Sequence, residues 1–140
     1  MNIDHVAIWT SHLEKLKDYY VKYFNGKSNR KYINNEKHFE SYFISFNTGT
    51  RLELMQMQGI PKNLNDTIKK QYLGIIHLSF GMGNMDLVNE KCTELKSVGF
   101  KILKGPRKTG DGYWEFETLD PDNNRIEVSS VFKDKKSINR

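Results

Sequence analysis

The chain has 140 residues, 37% hydrophobic and 28% charged, which fits one ordinary globular domain or two very small ones and excludes a disordered tail or a membrane protein. No apolar run approaches the roughly 20 residues needed to span a bilayer, and the opening Met-Asn-Ile-Asp-His lacks the basic and apolar blocks of a secretion signal, so a cytoplasmic protein is expected. Net charge is +5 but falls to +2 without residues 133–140; that basic tail is read as a solvated end, and no helix-turn-helix, aromatic RNA-binding or zinc-finger pattern supports a nucleic-acid partner.

Residues 3–8 alternate as a strand carrying His5. Residues 11–24 follow as a helix, with Leu13, Leu16, Tyr20 and Tyr23 on one stripe, a capping box of Ser11 and Glu14, and Gly26 at the stop. Strands are predicted over 26–34, 39–47 and 50–57, the last hairpin closed by Asn47-Thr48-Gly49. A polar segment, 58–72, leads to a second half. There, 75–80 reads as a strand carrying His77, and 84–98 as a helix with Met85, Val88, Cys92 and Leu95 on one stripe and Gly99 as its stop. Strands over 100–108, 113–119 and 125–131 complete the chain, with the turn Asp120-Pro121-Asp122-Asn123-Asn124 before the last. Cys92 is the one cysteine, which rules out an internal disulfide and a cysteine-pair metal site; its place on the stripe makes it a small buried hydrophobe.

The two halves repeat one another. Ile3-Asp4-His5-Val6-Ala7-Ile8 has the shape of Ile75-Ile76-His77-Leu78-Ser79-Phe80, and Arg51-Leu52-Glu53-Leu54 that of Arg125-Ile126-Glu127-Val128. His5 and Glu53 are 48 positions apart, His77 and Glu127 50. The expected fold is therefore α+β, two tandem βαβββ modules (about 1–58 and 73–132) within a single domain, forming a curved mixed sheet around a cleft.

Strand alternation turns each Glu away from its apolar neighbours, and so away from the helices, and sets His5 with Ala7 and Trp9, and His77 with Ile75 and Ser79. Two imidazoles and two carboxylates on one concave face suit a divalent first-row metal, because an ionised carboxylate there needs a cation and no sulfur ligand is near. An open N/O site fits this set better than a closed structural zinc site, and zinc or nickel heads the expectation, with cobalt, manganese and iron behind. The bland alternative is a pair of surface ion pairs, Arg51 with Glu53 and Arg125 with Glu127. Recurrence at near-equal distance from a strand histidine favours the metal site. His12 and His38 are read as surface residues.

These residues resemble the vicinal oxygen chelate superfamily, which includes glyoxalase I. The likeness runs from Ile3 to about Val131 and rests on Asp4-His5-Val6-Ala7-Ile8, Leu52-Glu53-Leu54, Ile76-His77-Leu78 and the stretch from Asp120 to Glu127, with Gly105-Pro106-Arg107 and Gly110-Asp111-Gly112-Tyr113 resembling the second-module hairpin. Within the superfamily the set His5, Glu53, His77, Glu127 is similar to that of glyoxalase I, where dioxygenases and fosfomycin-resistance transferases typically have His, His, Glu, epimerases have Gln at the second position, and bleomycin-binding members lack the metal residues. The resemblance implies a lactoylglutathione lyase-like lyase or isomerase acting on an α-hydroxy carbonyl or thiohemiacetal through a metal-stabilised enediolate. Glu127, with Glu53 sharing the role, would be the catalytic base, and a homodimer binding a small-molecule substrate is implied.

One departure bears on substrate. Glyoxalase I proteins commonly carry an Arg shortly after the first His, where this chain has Trp9 and Thr10. That argues against glutathione and leaves other α-hydroxy or 2-oxo compounds open. Trp9 either lines an aromatic pocket or fills core, and Arg51, Arg107 and Arg125 are candidate acceptors of an acidic substrate, with Tyr113 beside them. The competing classes are a sequestering protein of the bleomycin-resistance type, with Trp9, Tyr113 and Trp114 as pocket walls, and a metal-dependent dioxygenase or epimerase.

Overall fold

The computed structural model describes residues 1–47 and 49–134. Thr48 of the expected Asn47–Gly49 turn, and residues 135–140 of the basic tail, lie outside the described residues. The chain divides into two compact units, Met1–Leu64 and Asn65–Arg140.

The first unit runs β1 (His5–Trp9), α1 (Leu13–Phe24), β2 (Lys27–Ser28), β3 (Tyr32–Asn34), β4 (Phe39–Ser45) and β5 (Arg51–Met57). Its sheet has the order β1-β5-β4-β2, with β3 also on β4. The second unit runs β6 (His77–Gly81), α2 (Met85–Ser97), β7 (Ile102–Lys108), β8 (Tyr113–Leu119) and β9 (Arg125–Val131), with sheet order β6-β9-β8-β7. In each unit the His-bearing strand pairs in parallel with the Glu-bearing strand, and every other pairing is antiparallel. The architecture is that of two βαβββ modules, with the mixed sheet realised as two sheets, one per unit. No helix among the described residues is long and apolar enough to cross a membrane.

Burial follows the alternation. Leu52, Leu54, Ile126 and Val128 are buried, as are Leu13, Leu16, Tyr19 and Tyr20 of α1 and Val88, Cys92 and Leu95 of α2. α1 packs on β4 and β5, and α2 on β7, β8 and β9. Each helix thus covers one face of its sheet and leaves the other to the polar residues of β1, β5, β6 and β9. Burial pushes the Cys92 thiol pKa up, so an aromatic disulfide reagent at pH 8 should leave Cys92 essentially unmodified in the native protein and titrate it fully in urea. Rapid native modification would contradict its place in the core.

Two local expectations fail for physical reasons. The Ser11–Glu14 capping box does not form: His12 is the N-cap, without a side-chain cap bond. The helix start is satisfied otherwise, since Thr10 Oγ1 accepts from His12 N–H at 2.9 Å and Gln56 Oε1 from Leu13 N–H at 3.0 Å. Glu14 meanwhile accepts from Tyr42 and pairs with Lys31 and Lys17. The strand expected over 26–34 is two short strands, β2 and β3, both paired to β4. At the second helix Asn84 caps α2 by accepting from Leu87 N–H at 2.9 Å. Asn25 at φ 54° ends α1, and Gly26 follows because a Cβ there would collide with Ile44 and the Tyr20 carbonyl.

Candidate metal and substrate site

β1 and β5 run in parallel with Ala7 opposite Glu53, and β6 and β9 with Ser79 opposite Glu127. That register brings His5 Nε2 to 3.6 Å from Glu53 Oε2, and His77 Nε2 to 3.6 Å from Glu127 Oε2. Both pairs lie on the sheet face opposite the helix. The Glu53 and Glu127 side chains keep 18% and 16% exposure, between fully buried apolar neighbours.

The two pairs fit a metal in the chemistry of their donors. Atoms about 2.1 Å from a common ion lie roughly 3.0–3.4 Å apart at angles of about 90–109°, and 3.6 Å is within a few tenths of that. His5 Nδ1 is 2.7 Å from Asp4 Oδ2, the arrangement in which a carboxylate holds one imidazole nitrogen and turns the other toward a cation. Asp4 also accepts from Arg51 at 2.7 Å, and these two bonds hold its carboxyl below the usual carboxylate range. Among the described residues, no group of three or more His, Cys, Asp or Glu side chains is placed to hold a metal ion; each unit shows one His–Glu pair.

The surroundings of the two pairs differ. Glu127 Oε1 accepts from Ser79 Oγ at 2.8 Å, with Ser129 Oγ 3.4 Å from the same hydroxyl. At the matching register positions Glu53 has Ala7 and Met55, and Phe43 stands where Glu127 has Glu117. Phe43 also meets the His5 ring edge-on at 5.4 Å, and the Arg51 guanidinium lies over it at 4.3 Å. Trp9 is partly exposed on the His5 face and meets Phe39 edge-on at 6.0 Å, with Tyr32 against Phe39 at 6.1 Å.

In the second unit a cavity of about 680 Å³ opens beside the His77–Glu127 pair, lined also by Ser79, Arg107, Asp111, Tyr113, Glu115 and others. Arg107 stands directly opposite Glu115 across β7 and β8 and bonds it at 3.2 Å. Glu115 is 9% exposed. Its burial, with Glu127 nearby, pushes its carboxyl pKa up, while Arg107 pulls it down.

Tyr113 and Arg107 line this cavity, and Arg51 lies beside the His5 face. Arg125 does something else: it bonds Glu117 at 2.9 Å and the carbonyls of Thr67 and Ile68 at 3.0 and 3.3 Å, with its side chain only 10% exposed. The ion pairs of the bland alternative thus use other carboxylates, Asp4 for Arg51 and Glu117 for Arg125. Trp114, a pocket wall in the binding-protein alternative, does not line the cavity; its indole N–H donates to Asn89 of α2 at 2.9 Å. Sequence reasoning did not single out Asp4, Ser79 or Glu115 for a role at the site. Asp4 adjoins His5, Ser79 is two positions from His77, and Glu115 shares the parity of Tyr113 on its strand, so period-two alternation was the available signal.

The sequence matches the Glyoxalase/Bleomycin resistance protein/Dioxygenase superfamily over residues 2–128, and the chain belongs to that superfamily. None of the curated proteins matches the sequence. Among solved structures it is similar to a glyoxalase family protein from Enterococcus faecalis (22% identity, 91% of this chain and 96% of that one, TM-score 0.72). It is also similar to a glyoxylase/bleomycin resistance protein/dioxygenase domain from Frankia sp. EAN1pec (18%, 94% and 98%, TM-score 0.76). A third similar structure is the trypanothione-dependent glyoxalase I of Leishmania major (18%, 99% and 89%, TM-score 0.70). At these identities the likeness establishes the fold.

Proposed function

We propose that the chain is a metal-dependent lyase or isomerase of the glyoxalase type, acting on an α-hydroxy carbonyl or thiohemiacetal, with His5, Glu53, His77 and Glu127 as ligands of one divalent ion. The observation that carries this reading is the recurrence of one His–Glu pair, at the same 3.6 Å, on the helix-free face of both sheets. Nickel and zinc suit two imidazoles and two carboxylates, and cobalt, manganese and iron accept the same donors. The substrate is a small molecule, and the working assembly is a homodimer.

A divalent ion, when bound, supplies the Lewis acidity that polarises two vicinal oxygens and acidifies the C–H beside them. Glu127 takes that proton; the C–H electron pair becomes a carbon–carbon π bond and the carbonyl π pair moves to oxygen. The carboxylic acid so formed returns the proton to the neighbouring carbon: the carbon–carbon π pair forms the new C–H bond, a lone pair of the oxygen on the first carbon forms the new carbonyl, and that oxygen's proton passes to the oxide on the neighbouring carbon. Ser79 keeps one oxygen of Glu127 hydrogen-bonded, which limits rotation of the carboxylate. Asp4 does the corresponding work for His5. Trp9 and Phe39 offer an aromatic wall to the apolar part of a substrate. That wall also favours a second reading, a protein that sequesters an aromatic compound.

Metal analysis separates the two. Protein purified without chelator should carry about one divalent ion per chain, and EDTA should abolish turnover, restored by nickel or zinc. A chain that binds neither metal leaves the sequestering reading. With Trp9 and Thr10 following His5, turnover of the methylglyoxal–glutathione adduct should stay below the common enzymatic range, kcat/KM of about 10⁴ M⁻¹s⁻¹. A higher value would restore glutathione as the thiol.

A further inference from the structure

Each arginine that the sequence offers to an acidic substrate is already matched by a carboxylate of the protein: Arg51 by Asp4 at 2.7 Å, Arg125 by Glu117 at 2.9 Å and Arg107 by Glu115 at 3.2 Å. Of these, Arg107 and Glu115 line the cavity beside His77 and Glu127. We propose that Glu115 is a specificity-determining residue: by engaging Arg107 it makes the cavity select substrates that are uncharged beyond their two vicinal oxygens and reject those ending in a carboxylate. This rests on the reading of His77 and Glu127 as metal ligands, and it adds the class of substrate that the site admits.

Charge and burial set this selection. The lining holds three carboxylates, Asp111, Glu115 and Glu127, against the single guanidinium of Arg107. With Glu127 facing a metal, Asp111 and Glu115 outnumber the remaining cation, so an entering anion meets like charge. To win Arg107 it must displace Glu115, which is 9% exposed. A buried carboxylate stripped of its partner is costly, more so with another carboxylate nearby. A neutral ligand has no such competition, and the hydroxyl-bearing side chains of Ser79, Thr109, Tyr113 and Ser129 in the lining can exchange hydrogen bonds with it. The pair is set by the register in which the edge strand β7 pairs with β8. Two register shifts along β7 bring Arg107 opposite Glu115, whose other neighbour across β8 and β9 is Ser129.

Two probes test this, both offering vicinal oxygens to a metal: benzohydroxamate and 4-carboxybenzohydroxamate. Affinities are measured by calorimetry on the full chain loaded with nickel or zinc. The wild-type protein should bind the neutral probe at least about tenfold more tightly than the carboxylated one. In Glu115→Gln, which frees the guanidinium while keeping shape, that ratio should collapse to about one or invert. Equal or tighter binding of the carboxylated probe by the wild type would overturn the proposal without any variant. An unchanged ratio in a folded, metal-loaded Glu115→Gln protein would overturn it as well. Failure of both probes to bind metal-loaded protein would instead strike the metal-site reading, and the proposal would fall with it.

Discussion

Metal-saturated Glu127→Gln should exchange solvent deuterium into a turned-over substrate 10²–10⁴-fold more slowly than the wild type, equivalent to roughly 3–5 kcal/mol of barrier. The amide keeps the carboxylate's shape and a carbonyl oxygen that can still face a cation, but it does not take up a proton at neutral pH. With that oxygen turned toward the cation, the amide NH2 takes the place of Oε1 and can donate to Ser79 Oγ, so the side chain should keep its place. Metal content must be measured on the same samples, because loss of the ion imitates loss of the base. Glu53→Gln belongs alongside. Glu53 has Ala7 and Met55 where Glu127 has Ser79 and Ser129, so it lacks the hydroxyls that steady its counterpart. The slower exchange should therefore be that of Glu127→Gln. Undiminished exchange in metal-loaded Glu127→Gln would assign the proton to Glu53.

Arg125→Met should destabilise the protein by about 3 kcal/mol in urea unfolding, the scale expected when one partner of a largely buried pair is removed. Three bonds go at once, to Glu117, Thr67 and Ile68, and Glu117 is left as a mostly buried carboxylate without its cation. Met fills much of the aliphatic volume, so the loss reports the polar contacts rather than a cavity. Arg51→Ala provides the contrast: its partner Asp4 stands in solvent, so the unfolding midpoint should barely move. Equal effects from the two substitutions would mean that the guanidinium of Arg125 does not hold the 67–68 segment in place.

The duplication and the facing of the two His–Glu pairs were legible because they depend on period-two alternation, which a strand imposes whatever its neighbours. Leu52 and Leu54 bracket Glu53, and Ile126 and Val128 bracket Glu127, and all four apolar side chains are buried. What could not be read depends on which residues the sheet brings alongside. Arg51 meets Asp4, 47 positions away, and Arg107 meets Glu115 only after two shifts of register. The capping box failed for the same kind of reason. Gln56 reaches Leu13 from 43 positions away, and Lys31 and Tyr42 engage the glutamate the box required. Local pattern settles the facing of a side chain; partner choice waits on register.

The surroundings of the two pairs carry a consequence for how such a chain can change. In an assembly of identical single modules, symmetry copies every substitution to both halves, so a residue that helps at one pair is imposed on the other. Writing both modules into one polypeptide removes that constraint. Ala7 and Ser79, Met55 and Ser129, and Phe43 and Glu117 occupy matching places in their sheets yet differ in polarity, while the histidine and glutamate of each frame are the same. Exchanges around His5 can retune contacts with a carbon skeleton without touching the hydroxyls that steady Glu127. Exchanges around Glu127 can alter charge selection without unsettling the aromatic wall.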